Sequence, residues 1–404
     1  MIGKGSFNLL NKKEINDKAE NIHQDLVKWR RKIHQKPELG FQEYDTSDFI
    51  AEKLKKFEIE YERVCETGIV GLINGEKEGK TLAIRADIDG LALTEKNEVS
   101  YKSKNKGVMH ACGHDGHTAI LLGTAKVLSE LQDQIKGNVK LIFQPAEEGP
   151  GGAKPMVKAG VLKDPKVDYI LGLHINPSIE SGKIGLKSGR IQAAPDYFKI
   201  KIKGKGGHGA RPQKAIDTIT IGSQIVMGIQ QIKSRETDTL KPLVISIGSF
   251  HAGEAFNAIP EQAVIEGTVR SFDNELRKKV KNRMKEIVEN ITKAYKADFE
   301  FEYSFEYPPA YNDPDLTNLM KEVVINNLGE ENLYEIPAPS MGGDDFAYFS
   351  QEIPGSYLRL GTKNKKKGTV NPLHSQNFDL DEDILKQGVK LFVYGADKIL
   401  NDSE

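Results

Sequence analysis

Residues 109–117, MHACGHDGH, hold three histidines, a cysteine and an aspartate within nine positions. A thiolate and imidazoles together suit a borderline-soft divalent cation. The bland alternative is a buried cysteine flanked by surface histidines, because free cysteine is among the most buried residue types. Downstream, QPAEEGPGG (144–152) sets two adjacent carboxylates, Glu147 and Glu148, in a loop rich in proline and glycine. One such carboxylate can ligate a metal while its neighbour takes a proton from water. Taken alone, the pair also reads as two solvated acids. His174 closes the apolar run VDYILGLH (167–174), and His374 lies in the polar stretch NPLHSQNF (371–378). Separately these read as a capped core histidine and a surface histidine. Together, Cys112, His114, Glu148, His174 and His374 make five donors. That is about what two metals roughly 3.5–4 Å apart need beside shared hydroxide and water.

These donors have to be carried by regular elements. Ile22, Leu26, Trp29 and Ile33 recur at helical spacing, and Pro37 stops that helix; Ile50, Leu54 and Phe57 mark a second. Short, nearly continuous apolar bursts follow: TLAIRAD (81–87), VKLIFQ (139–144) and VDYILGLH. They alternate with helical stretches such as TAILLGTAKVLSEL (118–131). Strands buried on both faces with helices between them predict an α/β domain with a mostly parallel central sheet. In open α/β sheets, ligands bind outside the carboxyl ends of the strands, where His110, His114, His117 and His174 cluster.

Near residue 190 the texture changes. DYFKIKIKG (196–204) alternates apolar and charged residues, as a strand wet on one face does. A helix is predicted over 214–232, strands over 242–250 and 263–272, and a long helix through Leu276, Val280, Met284, Ile287 and Ile291. FEFEYSFEY (299–307) alternates strictly, and Pro308–Pro309 reads as a hinge back to the α/β part. The expected organisation is an α/β domain of residues 1–192 and 308–404, interrupted by an α+β insert of 193–307.

Composition excludes several classes. With 404 residues, the chain is long enough for two or three domains. Lys+Arg 57 against Asp+Glu 58 leaves a net charge of −1, so no basic field draws in nucleic acid. Cys65 and Cys112 cannot build a disulfide framework, which fits a reducing compartment. No apolar run approaches the roughly 18 residues of a membrane span, and the opening MIGKGSFNLLNKKE has no apolar core of a signal peptide. A soluble cytoplasmic enzyme with neither nucleic-acid nor membrane partners is the expectation. GKGGHG (204–209) satisfies G-x-G-x-x-G, but Pro212 separates the glycines from the next helix and no acid ends the following strand. Neither HExxH nor GxSxG occurs.

With these residues assembled, the chain resembles the N-acyl-amino-acid amidohydrolase group of the aminoacylase–carboxypeptidase metallopeptidase family. That group includes hippurate hydrolases and auxin-conjugate hydrolases. The matching blocks run from WRRKIHQKPELGFQEYDTS (29–47) through IRADIDGLAL (84–93), GVMHACGHDGH (107–117) and IFQPAEEGPGGAKPM (142–156). They continue with KGGHGARP (205–212), FNAIP (256–260), GTVRS (267–271), MGGDDF (341–346) and NPLHSQNF. The resemblance implies two divalent metals per subunit, zinc or manganese with cobalt or nickel also possible. It implies Cys112, His114, Glu148, His174 and His374 as ligands and Glu147 as general base. The insert becomes a lid that often dimerises through its sheet, giving a homodimer or higher homo-oligomer. His208, Asn257 and Arg270 match positions that approach substrate in relatives, the histidine and asparagine sometimes from a neighbouring subunit.

The implied reaction is hydrolysis of the amide of an N-acyl-amino acid. Water activated by the metals attacks, His208 assists the oxyanion, and Arg270 with Asn257 grips the carboxylate. A carboxypeptidase or dipeptidase on the same scaffold is the neighbouring reading, and a non-catalytic metal- or peptide-binding protein the reading from another class. Two departures stand out. Gly343 and Asp344 replace the family's usual Ser-Glu, one methylene shorter at the acid. Cys112 stands in the ligand cluster where the wider family uses a bridging aspartate, which leaves Asp87, Asp89 and Asp115 with supporting roles.

Overall fold

The computed structural model describes residues 10–401. Part of the opening segment read above for a signal peptide therefore lies outside the described residues. The chain divides into two compact units. The first comprises the chain up to Gly189, Tyr311–Ala338 and the chain from Tyr348 onward; the second comprises Arg190–Ala310 and Pro339–Ala347. Among the described residues no helix is long and apolar enough to cross a membrane.

The first unit is built on an eight-stranded sheet flanked by helices. Its spatial order is Glu60–Val64, Gly68–Asn74, Lys136–Gln144, Lys77–Asp87, Tyr169–Glu180, Gly355–Lys363, Ile184–Leu186 and Leu333–Glu335. Four of the seven neighbouring pairs are parallel, including the whole centre of the sheet. The central strands carry continuous apolar runs because both faces are covered: Leu82, Ile84, Leu141, Leu171 and Leu358 are all fully buried. The chain leaves Lys77–Asp87 toward Lys136–Gln144 on one side and returns through Tyr169–Glu180 on the other. That reversal is the switch point at which an open α/β sheet leaves a crevice at its carboxyl end.

Helix His23–His34 buries Leu26, Trp29 and Ile33 as its spacing requires. Helix His114–Ser129 is buried nearly all round, and Ile384–Asn401 packs on it. Two expectations shift here. The first of these two helices begins at His114, not at 118, so the histidine cluster occupies its first turn. Gly113, at φ 91°, makes the sharp entry that an L side chain resists. The strand holding His174 runs on to Glu180, which places His174 inside the strand and not at its end. Pairing with Gly355–Lys363 extends to Lys363 opposite Glu180, so the ladder sustains the strand beyond its apolar run.

The second unit has a four-stranded antiparallel sheet in the order Leu243–Ala252, Gln262–Ser271, Ala194–Lys203, Asp298–Phe305. Helices Thr218–Arg235 and Asn274–Ala294 share its core through Ile225, Ile229, Val280 and Met284. The first of them starts at Thr218 where 214 was expected. Asp217 accepts the N–H groups of Ile219 and Thr220 as N-cap, and Pro212–Lys214 is a separate tight turn. The segment bearing Gly343 and Asp344 joins this unit: Ala193 donates to Ser340 O and Ser340 donates back to Ile191 O.

Candidate active site

The switch-point crevice of the first unit collects side chains from four elements. The strand Lys77–Asp87 ends in Asp87 and leads to Asp89; Lys136–Gln144 leads to Glu147 and Glu148; Tyr169–Glu180 supplies His174; the first turn of His114–Ser129 supplies His114. Ligand atoms of Cys112, His114 and His174 lie within 4.8 Å of one another, as do those of Cys112, Glu148 and His374. His114, Glu147 and Glu148 form another such group. The five donors named from sequence are thus brought together in two triads that share the Cys112 sulfur. Cys112 Sγ is 3.4 Å from His174 Nε2, and His374 Nε2 is 3.1 Å from Glu148 Oε1.

Each imidazole is aimed by its other nitrogen. His114 Nδ1 is 3.0 Å from the Asp89 carbonyl and 3.1 Å from Asp89 Oδ1. His174 Nδ1 is 2.7 Å from Ile175 O. In both, Nδ1 donates to that oxygen, which leaves Nε2 as the nitrogen that faces the cluster. His114 Nε2 is buried without a hydrogen-bond partner among the described residues. A buried polar nitrogen of that kind costs free energy unless something binds it, and a cation that takes the place of its proton would do so, so the residues fit a cation. Asp89 does more than orient His114, because its Oδ2 accepts the Glu148 N–H at 2.9 Å. One carboxylate therefore sets two of the donors. His374 adopts φ 61° and is tied by its N–H to Ala111 O at 2.8 Å.

His117 falls in the same nine-residue cluster but has a different use. Its Nδ1 meets Asp87 Oδ1 at 2.5 Å, and its Nε2 accepts the Ile175 N–H at 2.9 Å. Both nitrogens are spent, although Asp87, His114 and His117 are close enough to form a further metal-like group. Asp87 Oδ2 is held by Arg85 at 2.6 Å. Burial pushes the Asp87 carboxyl up, yet Arg85, His114 and His117 hold it far below the usual range, so it stays ionised.

Electrostatics fit a site completed by cations. Burial, with Glu148 and Glu147 nearby, pushes the Cys112 thiol up. Burial pulls His114 down, but Asp87, Asp89 and Glu148 outweigh it and raise it to about 10. Two of the donors therefore hold protons that a metal has to displace. Burial raises Glu148, and His374 and His114 lower it further, keeping it a carboxylate.

Sequence reading missed the residue that shapes the carboxylate loop. Ala146, at φ 55°, donates its N–H to Glu43 Oε1 at 2.8 Å, and Thr67 donates to Glu43 Oε2 at 2.6 Å. Glu43 lies in a block that carries the resemblance, but nothing local marks its partner 103 positions away. Burial raises it from 4.5 to about 7. Between those values the unfolded chain gives up the proton and the folded chain keeps it, so stability falls as pH rises through this window. Glu43→Gln keeps the Ala146 bond on its amide oxygen, donates its NH2 to the Thr67 hydroxyl in place of accepting from it, and removes the titration. The variant is expected to gain on the order of 2–3 kcal/mol over the parent above about pH 7 and nothing below about pH 4. Melting temperatures across that range check it; parallel curves for the two proteins would refute it.

In the second unit, His208 is exposed, and its Nδ1 accepts the Ala210 N–H at 3.1 Å. That bond leaves the proton on Nε2 as a donor. Asn257 is exposed and follows Phe256, which is fully exposed. Arg270 donates to Thr268 Oγ1 and lies over the Tyr197 ring at 5.6 Å.

Comparison with known proteins gives consistent matches. Residues 83–397 match the family described as peptidase family M20/M25/M40. The chain is 44% identical over 395 residues to thermostable carboxypeptidase 2 of Saccharolobus solfataricus, covering 96% of this chain and 98% of that one. It is 47% identical over 305 residues to the N-acyl-L-amino acid amidohydrolase of Geobacillus stearothermophilus, covering 75% and 82%. Among solved structures, the YXEP protein of Bacillus subtilis, described as a dinuclear metal binding peptidase, superposes with a TM-score of 0.81 at 37% identity. That alignment covers 94% of this chain and 99% of that one.

Proposed function

The chain belongs to peptidase family M20/M25/M40 and is a metal-dependent hydrolase of amide bonds; within that family we propose that it cleaves N-acyl-amino acids. The observation that carries the reading is the pair of donor triads sharing Cys112. Cys112, His114, Glu148, His174 and His374 would hold two divalent cations. The mixed sulfur, nitrogen and oxygen set suits zinc or manganese, with cobalt and nickel also accommodated. When bound, such a pair supplies Lewis acidity to the scissile carbonyl and to water.

The chain's own residues do the rest. Glu147 belongs to the group with His114 and Glu148 but to neither of the triads that share Cys112. This supports Glu147 as the base and Glu148 as the ligand. Glu147 takes a proton from the attacking water and returns it to the leaving amine. From the second unit, His208 donates its Nε2 proton to the developing oxyanion. Arg270 grips the amino acid's carboxylate with Asn257 beside it. That unit, expected over 193–307, would act as lid and dimerisation domain of a cytoplasmic homodimer or higher homo-oligomer. Its edge strand Leu243–Ala252 and the exposed Ile219 and Met227 of the neighbouring helix offer a surface for self-pairing.

Carboxypeptidase action is the second reading, favoured by the near full-length match to a carboxypeptidase. A panel of N-acetyl-amino acids, N-benzoyl-amino acids and N-blocked dipeptides, tested after reconstitution with each metal, separates the two. Faster turnover of the simple acyl compounds is the expected result. Preference for the dipeptides would replace this proposal with the second reading.

A further inference from the structure

Strand Gly355–Lys363 lies beside the strand that holds His174, with Arg359 directly opposite His174 in a parallel register. Leu358 and Leu360 belong to the core beneath the helices. By the two-residue alternation of a strand, Tyr357 and Arg359 project to the opposite face, and residues opposite in parallel strands share a face. The Tyr357 and His174 rings are 6.4 Å apart, and the Arg359 guanidinium lies over the Tyr357 ring at 4.4 Å. Arg359 is half-buried. Its one hydrogen bond among the described residues is a long one, 3.3 Å, to Leu358 O, and no carboxylate there pairs with it. Its charge is nonetheless felt at His174, whose imidazole is held well below its ordinary value by burial, His117 and Arg359.

This guanidinium differs from the other buried cations of the unit. Arg30 and Arg85 each hold carboxylates, and Lys140 is ringed by the carbonyls of Val161, Asp164 and Pro165. Partial burial of a cation without a counter-charge is a cost that a bound anion offsets. The aromatic platform fixes the plane of the fork, and a guanidinium so fixed recognises a carboxylate in two-point fashion.

We propose that Arg359 binds a second carboxylate of the substrate, so that this hydrolase prefers N-acyl-amino acids carrying two carboxylates over those with one. The inference rests on the function proposed above and names its substrate class. The second carboxylate belongs either to the acyl group, as in an N-succinyl-amino acid, or to the side chain of an acidic amino acid.

The test compares the metal-loaded parent with Arg359→Met and Arg359→Lys on three substrates. N-acetyl-L-alanine carries one carboxylate, N-succinyl-L-alanine adds one on the acyl side, and N-acetyl-L-glutamate adds one on the amine side. The parent's preference for one of the two dianions over N-acetyl-L-alanine is expected to fall about 10- to 100-fold in Arg359→Met, through KM more than kcat. Arg359→Lys should recover part of it. Which dianion loses its advantage tells which end Arg359 reads. Glutarate binding by calorimetry gives a readout independent of turnover, with Kd expected to rise by a similar factor. If the parent turns over none of the three, the amidohydrolase reading fails while glutarate still tests Arg359. Equal losses on all three substrates, or one glutarate Kd for parent and Arg359→Met, would overturn the inference.

Discussion

Glu147→Gln is expected to keep its metal and lose about 10²–10⁴ in turnover, the range over which a positioned acid–base group acts. The amide has the same shape as the carboxylate and accepts no proton near neutral pH. Glu147 is asked to move a proton twice, from water and then to the amine, so the loss should sit toward the upper end. The loop should not change. Ala146 is fixed by Glu43, and the Glu148 N–H is fixed by Asp89, neither through the Glu147 side chain. Metal content by elemental analysis should match the parent, whereas Glu148→Gln should lower it. Turnover of Glu147→Gln within about tenfold of the parent would transfer the base role elsewhere.

The division of labour proposed for those two glutamates is not readable from EE alone, because adjacency says nothing about which carboxylate turns toward Cys112. What could be read was the chemistry of clustered types. Cys112 and His114 announce themselves within three positions, and the apolar bursts 81–87 and 139–144 predict the strands that carry Asp87 and lead to Glu147. Selection among the histidines depends on the second ring nitrogen, which is a matter of tertiary partners. His117 is removed from the donor set by Asp87 and by a backbone N–H 58 positions away. His174 is retained because its Nδ1 turns to the neighbouring carbonyl. Arg359 stayed hidden for the same reason: its meaning comes from standing across a strand pair from His174.

The longest-range of these partnerships yields the second large effect. Arg30 is fully buried on helix His23–His34 and reaches three carboxylates: Asp115 at 2.7 Å, Asp379 at 2.7 Å and Glu382 at 3.3 Å. Asp115 follows the donor His114, and Asp379 comes directly after the stretch 371–378 that holds His374. One guanidinium thus clamps two donor-bearing segments that are far apart in the chain. His34 adds to the clamp, with Nδ1 2.7 Å from Asp115 and Nε2 3.2 Å from Glu95. Burial raises the Asp115 carboxyl, but Arg30 and His34 hold it far below its ordinary range, so it is charged whenever the protein is folded near neutral pH. Arg30→Met fills the space and strands these charges. Breaking a buried pair by removing one partner costs about 3–5 kcal/mol, and disturbing a metal site's supporting contacts typically weakens affinity about 10- to 100-fold. Denaturant unfolding and metal titration should show both losses together. Arg30→Lys restores the charge without the fork, cannot serve three carboxylates at once, and should recover only part of each. Unfolding that weakens while metal affinity holds would reduce Arg30 to a packing residue, because a clamp on His114 and His374 cannot loosen without the donors feeling it.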